Sequence, residues 1–147
     1  MSPASAERPP PFQNDDVKSK IRRSMTQSVS AFNRGDVETI LGSYAADAIV
    51  LPPRGPAMQG LLGIRKLLES LLAAGYRSAA IELDRIEHWG DVALALGRYK
   101  VQIPAKSESF DVDRGKYVGH WRRMSDGQFR VTVSMWASDH WHPPSDP

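Results

Sequence analysis

Residues 44–60 read YAADAIVLPPRGPAMQG. A helical pattern ends near Tyr44, a short apolar run spans Ala48 to Leu51, and Pro52 and Pro53 follow at once. Proline has no amide hydrogen, so strand pairing stops there. A Gly/Pro loop comes next, and another helical pattern opens at Leu61. A strand this short, set between two helices and broken this sharply, fixes how the rest of the chain is arranged around it.

Upstream, Val17, Ile21, Met25, Val29 and Phe32 step by four, four, four and three, which draws one apolar stripe along a helix. Asp15 and Asp16 suit its positive N-terminal end, and Gly35 suits its end. Asp36 is placed to cap a second helix from Val37 to Tyr44. Downstream, residues 61–74 predict a third helix with Leu61, Ile64, Leu68, Leu71 and Leu72 buried, ended by Gly75. From Ala79 the period changes to two. Ala79 to His88 is a strand with Ile81, Leu83 and Ile86 roughly on one side, and the shift between Leu83 and Ile86 predicts a bulge or a bend. Gly90-Asp91 turns into Val92–Ile103, Asp113-Arg114-Gly115 turns into Lys116–Met124, and Ser125-Asp126-Gly127 turns into Gln128–Ala137. Helices first and strands later predict an α+β fold. Three N-terminal helices are expected to pack on one face of an antiparallel sheet of one short early strand plus a four-strand meander.

The 147 residues, 41% hydrophobic and 24% charged, fit one globular domain. A net charge of +2 gives no basis for a nucleic-acid partner. The lack of cysteine excludes disulfides, thiol nucleophiles and Cys-ligated zinc. Residues 1–14, with Pro9, Pro10 and Pro11, read as a flexible tail, residues 15–139 as the domain, and residues 140–147 as a second tail. No apolar run is long enough for a signal peptide or membrane helix, so no membrane partner is expected and the cytoplasm is the expected compartment.

Three phrases carry a family resemblance: AFNRGDVETILGSYAADAIVLPP, GPAMQGLLGIRKLLESLL and GKYVGHWRRMSDGQFRVTVSMWASD. In this order they resemble the nuclear transport factor 2-like superfamily, the cone-shaped α+β fold of ketosteroid isomerases and SnoaL-like polyketide cyclases, and within it the stand-alone SnoaL-like branch. The resemblance covers residues 17–139. It implies a strongly curved sheet, with the early strand leading to the mouth of a cone and Pro56 and Met58 on its rim. It also implies a homodimer packed through the outer sheet face, where Arg98, Lys100, Arg122 and Arg130 keep part of the surface polar. An isomerase of this fold uses an aspartate base, a tyrosine and a protonated aspartate. The matching positions here are Pro52, Ser28 and Gly119, so all three are missing. The cyclase carboxylate maps to Ser134.

The remaining acid/base candidates are His120 and Asp139. Alternation puts His120 with Val118 and Arg122, opposite Tyr117, Gly119 and Trp121, and Asp139 falls near a strand end. His88 reads as a surface residue beside a turn. His88, His120, His140 and His142 lack the spacing of a metal site, so no metal is expected. No dinucleotide fingerprint, phosphate loop or Ser/His/Asp set is present, so no cofactor is expected. Arg22-Arg23 and Arg122-Arg123 read as solvated charge. Large side chains suited to line a pocket are Phe32, Tyr44, Leu51, Met58, Tyr99, Tyr117, Trp121 and Trp136, with Ser134, Tyr99 and Trp136 as polar anchors. The expected function is binding of a small apolar or aromatic ligand. The alternative is a cofactor-free isomerase, cyclase or lyase acting on a small carbonyl or polyketide-like compound.

Overall fold

The computed structural model describes residues 12–105 and 110–140. Its elements are α1 (Phe12–Asn33), α2 (Val37–Leu41), β1 (Tyr44–Leu51), β2 (Met58–Gln59), α3 (Gly60–Ala73), β3 (Arg77–Trp89), β4 (Val92–Pro104), β5 (Phe110–Arg123) and β6 (Phe129–Ser138). Residues 1–11 and 141–147 of the two expected tails lie outside the described residues, and α1 takes in residues 12–14 of the first.

The stripe on α1 packs as its spacing dictates: Val17, Ile21 and Met25 are buried, and Val29 and Phe32 are half-buried. The helix stops at Gly35, whose φ of +75° suits a residue without a Cβ. Asn33 then acts as a short piece of strand. Its amide accepts from Ala79 N at 2.7 Å and donates to Ala79 O at 3.0 Å, tying the helix end to β3. Asp36 caps α2 by accepting from Thr39 N at 3.2 Å. That helix ends three residues sooner than its pattern predicts, because β1 already begins at Tyr44.

Six strands lie in the order β2-β1-β6-β5-β4-β3, and the sheet does not close. It is mixed, which corrects the all-antiparallel expectation. β1 runs parallel to β6, with Val50 opposite Ser134 and Leu51 opposite Met135. The stretch after Pro52-Pro53 is also more ordered than a loop. Gly55 and Gly60 take positive φ, and between them Met58 and Gln59 fold back as β2 against Val50 and Ile49. The chain therefore turns on itself at the sheet edge before entering α3.

The bulge forms where the change of phase predicts it, between Leu83 and Arg85. Gly97 faces Leu83 there, and a Cβ on it would strike the Glu82 carbonyl. Arg22 crosses from α1 to donate to Leu83 O at 2.8 Å, so it is not merely solvated. Asp113-Arg114-Gly115 is not a turn. Asp113 pairs with Val101 and Gly115 with Tyr99 inside β5, and the β4–β5 connection falls between Pro104 and Phe110. Gly115 serves close approach instead: a Cβ there would come within 2.6 Å of the Tyr99 ring.

Two apolar clusters hold the helices on the sheet. One joins Val17, Ile21 and Met25 of α1 to Ile86, Trp121, Phe129 and Val131. The other joins Ile40, Leu41, Ala48 and Val50 to Ile64 and Leu68 of α3. Among the described residues no helix is long and apolar enough to cross a membrane.

Candidate functional site

Between the two clusters the packing leaves a cavity of about 170 Å³. Ser28, Val29 and Phe32 of α1 and Leu68 and Leu71 of α3 form one wall; Tyr44, Ile81, Tyr99, Tyr117, Trp121, Val131, Ser134 and Trp136 from the sheet form the other. Tyr76, just before β3, completes the lining near Ala79 and Ala80. No Asp, Glu or His is among the described residues that line it.

Strand alternation gathers a polar cluster on this inner face. Tyr117, Gly119 and Trp121 project from β5, Ser134 from β6, and Tyr44 from the start of β1. The Tyr44 hydroxyl lies 3.5 Å from Ser134 Oγ. Gly119 is what lets the neighbours meet, because a Cβ there would collide with the Tyr117 hydroxyl and lie 3.2 Å from Trp121 Nε1. The space that an acidic side chain at position 119 needs is therefore filled by a tyrosine from two residues earlier. Trp121 Nε1 is buried without a hydrogen-bond partner among the described residues. Burial pushes the Tyr117 and Tyr44 hydroxyls well above the ordinary tyrosine range. Both stay protonated near neutral pH. The inner end of the cavity thus offers neutral O–H and N–H donors on apolar walls, suited to hold an oxygen acceptor.

A second polar group sits farther along the same face. Tyr99 Oη donates to Asp113 Oδ2 at 2.9 Å, and Ser138 Oγ donates to Asp113 Oδ1 at 2.6 Å. Burial first, and then the Asp113 carboxylate, push the Tyr99 hydroxyl above its usual range. The turn chemistry of residues 113–115 masks Asp113 in the sequence. Its odd-numbered parity with Tyr117 and Trp121 was the available signal.

Of the expected pocket residues, Phe32, Tyr44, Tyr99, Tyr117, Trp121, Ser134 and Trp136 border the cavity, whereas Leu51 and Met58 stand apart from it. Leu51 pairs with Met135 on the opposite face, and Met58 lies against Gly63 of α3. His120 is on the outer face, 2.5 Å from Thr132 Oγ1 through Nδ1. Asp139 pairs with Lys116 at the end of β6. His88 is half-buried rather than superficial: it meets Phe129 edge-on at 5.9 Å and Nε2 is 2.6 Å from Gly90 O. Arg122 and Arg123 pair with Asp47 and Asp91. His142 lies outside the described residues, among which no group of three or more His, Cys, Asp or Glu side chains is placed to hold a metal.

Three helices on an open six-stranded mixed sheet, with a cavity between them, make up an α+β domain. Residues 25–132 match the model of the SnoaL-like domain, and the chain belongs to that family. Solved structures agree on the fold. A ketosteroid isomerase-like protein from Erwinia carotovora atroseptica superposes with a TM-score of 0.77 at 16% identity, over 86% of this chain and 98% of its own. An NTF2-like protein with a cystatin-like fold from Novosphingobium aromaticivorans gives 0.75 at 18%, over 87% and 85%. An NTF2-like superfamily protein from Salmonella enterica gives 0.76 at 13%, over 91% and 99%. At such identities the likeness is one of fold alone. No curated protein matches the chain.

Proposed function

We propose that this SnoaL-like domain binds a small, largely apolar ring compound in the cavity, with an oxygen acceptor of the ligand among Tyr44, Tyr117 and Ser134. One observation carries this: the lining is largely apolar and aromatic, Tyr44, Tyr117 and Ser134 bring neutral hydroxyls to it, and no carboxylate or imidazole is among the described residues that line it. Such a site recognises a carbonyl but has no base beside it to move a proton. The cavity volume is near that of an engineered cavity that accepts benzene. One ring therefore fits, and a tetracyclic polyketide does not fit without opening the walls. The compartment we assign is the cytoplasm.

A cofactor-free isomerase, cyclase or lyase is the second reading, and the buried Tyr117 and Trp121 donors favour it, because they could stabilise an oxyanion. It lacks a base. The next inward carboxylate along β5, Asp113, is four residues from Tyr117, about 13 Å along a strand.

We also propose a homodimer through the outer face of β4, β5 and β6. Leu96, Val133 and Met135 are 36%, 37% and 42% exposed there, and cross-strand pairing sets Leu96 beside Val118 and Val118 beside Met135. A contiguous apolar face of this kind marks an interface, and two-fold pairing is the commonest way to cover it.

Acetophenone, a one-ring ketone, tests the binding site. At a hundred times its dissociation constant it should stabilise the fold by about 2.7 kcal/mol and be recovered unchanged. Ser134→Ala should weaken it. A melting temperature that no one-ring ketone moves would refute the binding function, and conversion of the ketone would turn the assignment to the enzyme.

A further inference from the structure

Asp113 is a carboxylate on the inner face whose only partners among the described residues are two hydroxyls, from Tyr99 and Ser138. Nearby cations are committed elsewhere. Lys116 pairs with Asp139, and Arg98 pairs with Asp84 and Glu82. Lys100 and Arg114 face each other across β4 and β5; alternation turns both side chains away from the inner face that carries Asp113, although Lys100 also borders the cavity. A half-buried carboxylate without a counter-charge is costly unless its lone pairs are met. A carboxylate has about four acceptor sites, and two are filled here.

Tyr99 connects this group to the cavity. Its ring lies over Gly115 and lines the cavity, and its hydroxyl ends on Asp113. The two ends of the cavity therefore differ in polarity. Neutral donors gather at the Tyr117 end, and the Asp113 carboxylate lies just beyond the lining at the Tyr99 end, about 13 Å away along β5.

We propose that Asp113, with Tyr99 and Ser138, is the recognition point for a protonated amine, so that the ring compound taken by the cavity is an aromatic or apolar amine. An ammonium group supplies both the missing charge and donors for the unfilled lone pairs, a charge-assisted pairing stronger than one between neutral groups. The Tyr99 ring, whose hydroxyl ends on Asp113, adds surface that attracts a cation. The inference rests on the cavity binding a ring compound at all, and its test separates the two.

2-Phenylethylamine, protonated at neutral pH, and 2-phenylethanol, its neutral analogue, are titrated calorimetrically into the full chain, wild type and Asp113→Asn. The amine should bind the wild type roughly tenfold or more tightly than the alcohol, and Asp113→Asn should erase that preference while leaving the alcohol's affinity in place. The wild type carries an independent check: raising the salt from low to high should reduce the amine's advantage and leave the alcohol unaffected. Equal affinity for amine and alcohol overturns the amine site and leaves ring binding intact. A preference that survives Asp113→Asn, or one insensitive to salt, overturns it as well. If neither compound binds, the amine site and the ring-binding function fall together.

Discussion

Strands β5 and β6 show two apolar faces with different fates. Inward, Tyr117, Trp121, Phe129 and Val131 are buried. Outward, Val118 is half-buried and Val133 and Met135 are exposed. Hydrophobicity does not separate the faces. What separates them is cover: α1 packs on the inner side, while no element among the described residues packs on the outer one. An antiparallel sheet with helices on one face must leave its other face polar or find a partner for it. The inner face also carries glycines at 115 and 119, which let tyrosine and tryptophan rings lie against the strand. The outer face needs no such accommodation.

The largest test of this difference is Trp121→Ala. The side chain is fully buried among α1, β5 and β6, so its loss should cost about 3–5 kcal/mol, read as the shift in urea midpoint at constant slope. Met135→Ala on the outer face should cost far less per protomer. Equal losses would mean that the two faces are covered alike.

A smaller effect on the protomer, with a clear effect on assembly, is expected from Val133→Glu combined with Met135→Glu. Sedimentation should show the wild type as a dimer and the variant as a monomer. The far-ultraviolet spectrum should not change, since exposed substitutions usually alter protomer stability by only about 0.5 kcal/mol. A monomeric wild type would refute the assembly.

Periodicity makes much of this legible in the sequence. The stripe from Val17 to Phe32, the cap at Asp36, the bulge near Leu83 and the face opposition of His120 and Trp121 all follow from spacing. Spacing says nothing of partners far along the chain, so the parallel pairing of β1 with β6 was hidden. The same limit hid β2, a two-residue strand within a Gly/Pro segment that looked like a loop. At 113–115 an Asp-Arg-Gly triplet carries turn chemistry, yet the glycine is there to admit the Tyr99 ring. That one misreading concealed Asp113. The donor cluster was half visible: Tyr117, Trp121 and Ser134 share inward parity, but the meeting of Tyr117 and Trp121 above Gly119 depends on side-chain directions that parity does not supply.

The dependence of stability on pH sharpens the comparison, because each face should control a different limb. Tyr117, inward, has a folded pKa raised above its ordinary 10.0 by burial. Its contribution is present below pH 10 and lost as pH rises beyond that. The slope is at most about 1.4 kcal/mol per pH unit, and Tyr117→Phe should flatten this alkaline limb. Asp84 belongs to the charged surface, where Arg98 donates to it at 2.9 and 2.7 Å. Those bonds first, and then the guanidinium charge, hold its carboxyl below the ordinary 3.8. Its contribution is present above that value and lost as pH falls through the lowered one. Because the pair is exposed, the loss should be small and should fade in high salt. Asp84→Asn should trim the acid limb and leave the alkaline limb as it is. If both substitutions changed the same limb in urea midpoints measured across pH, the buried and solvated faces would not be energetically distinct.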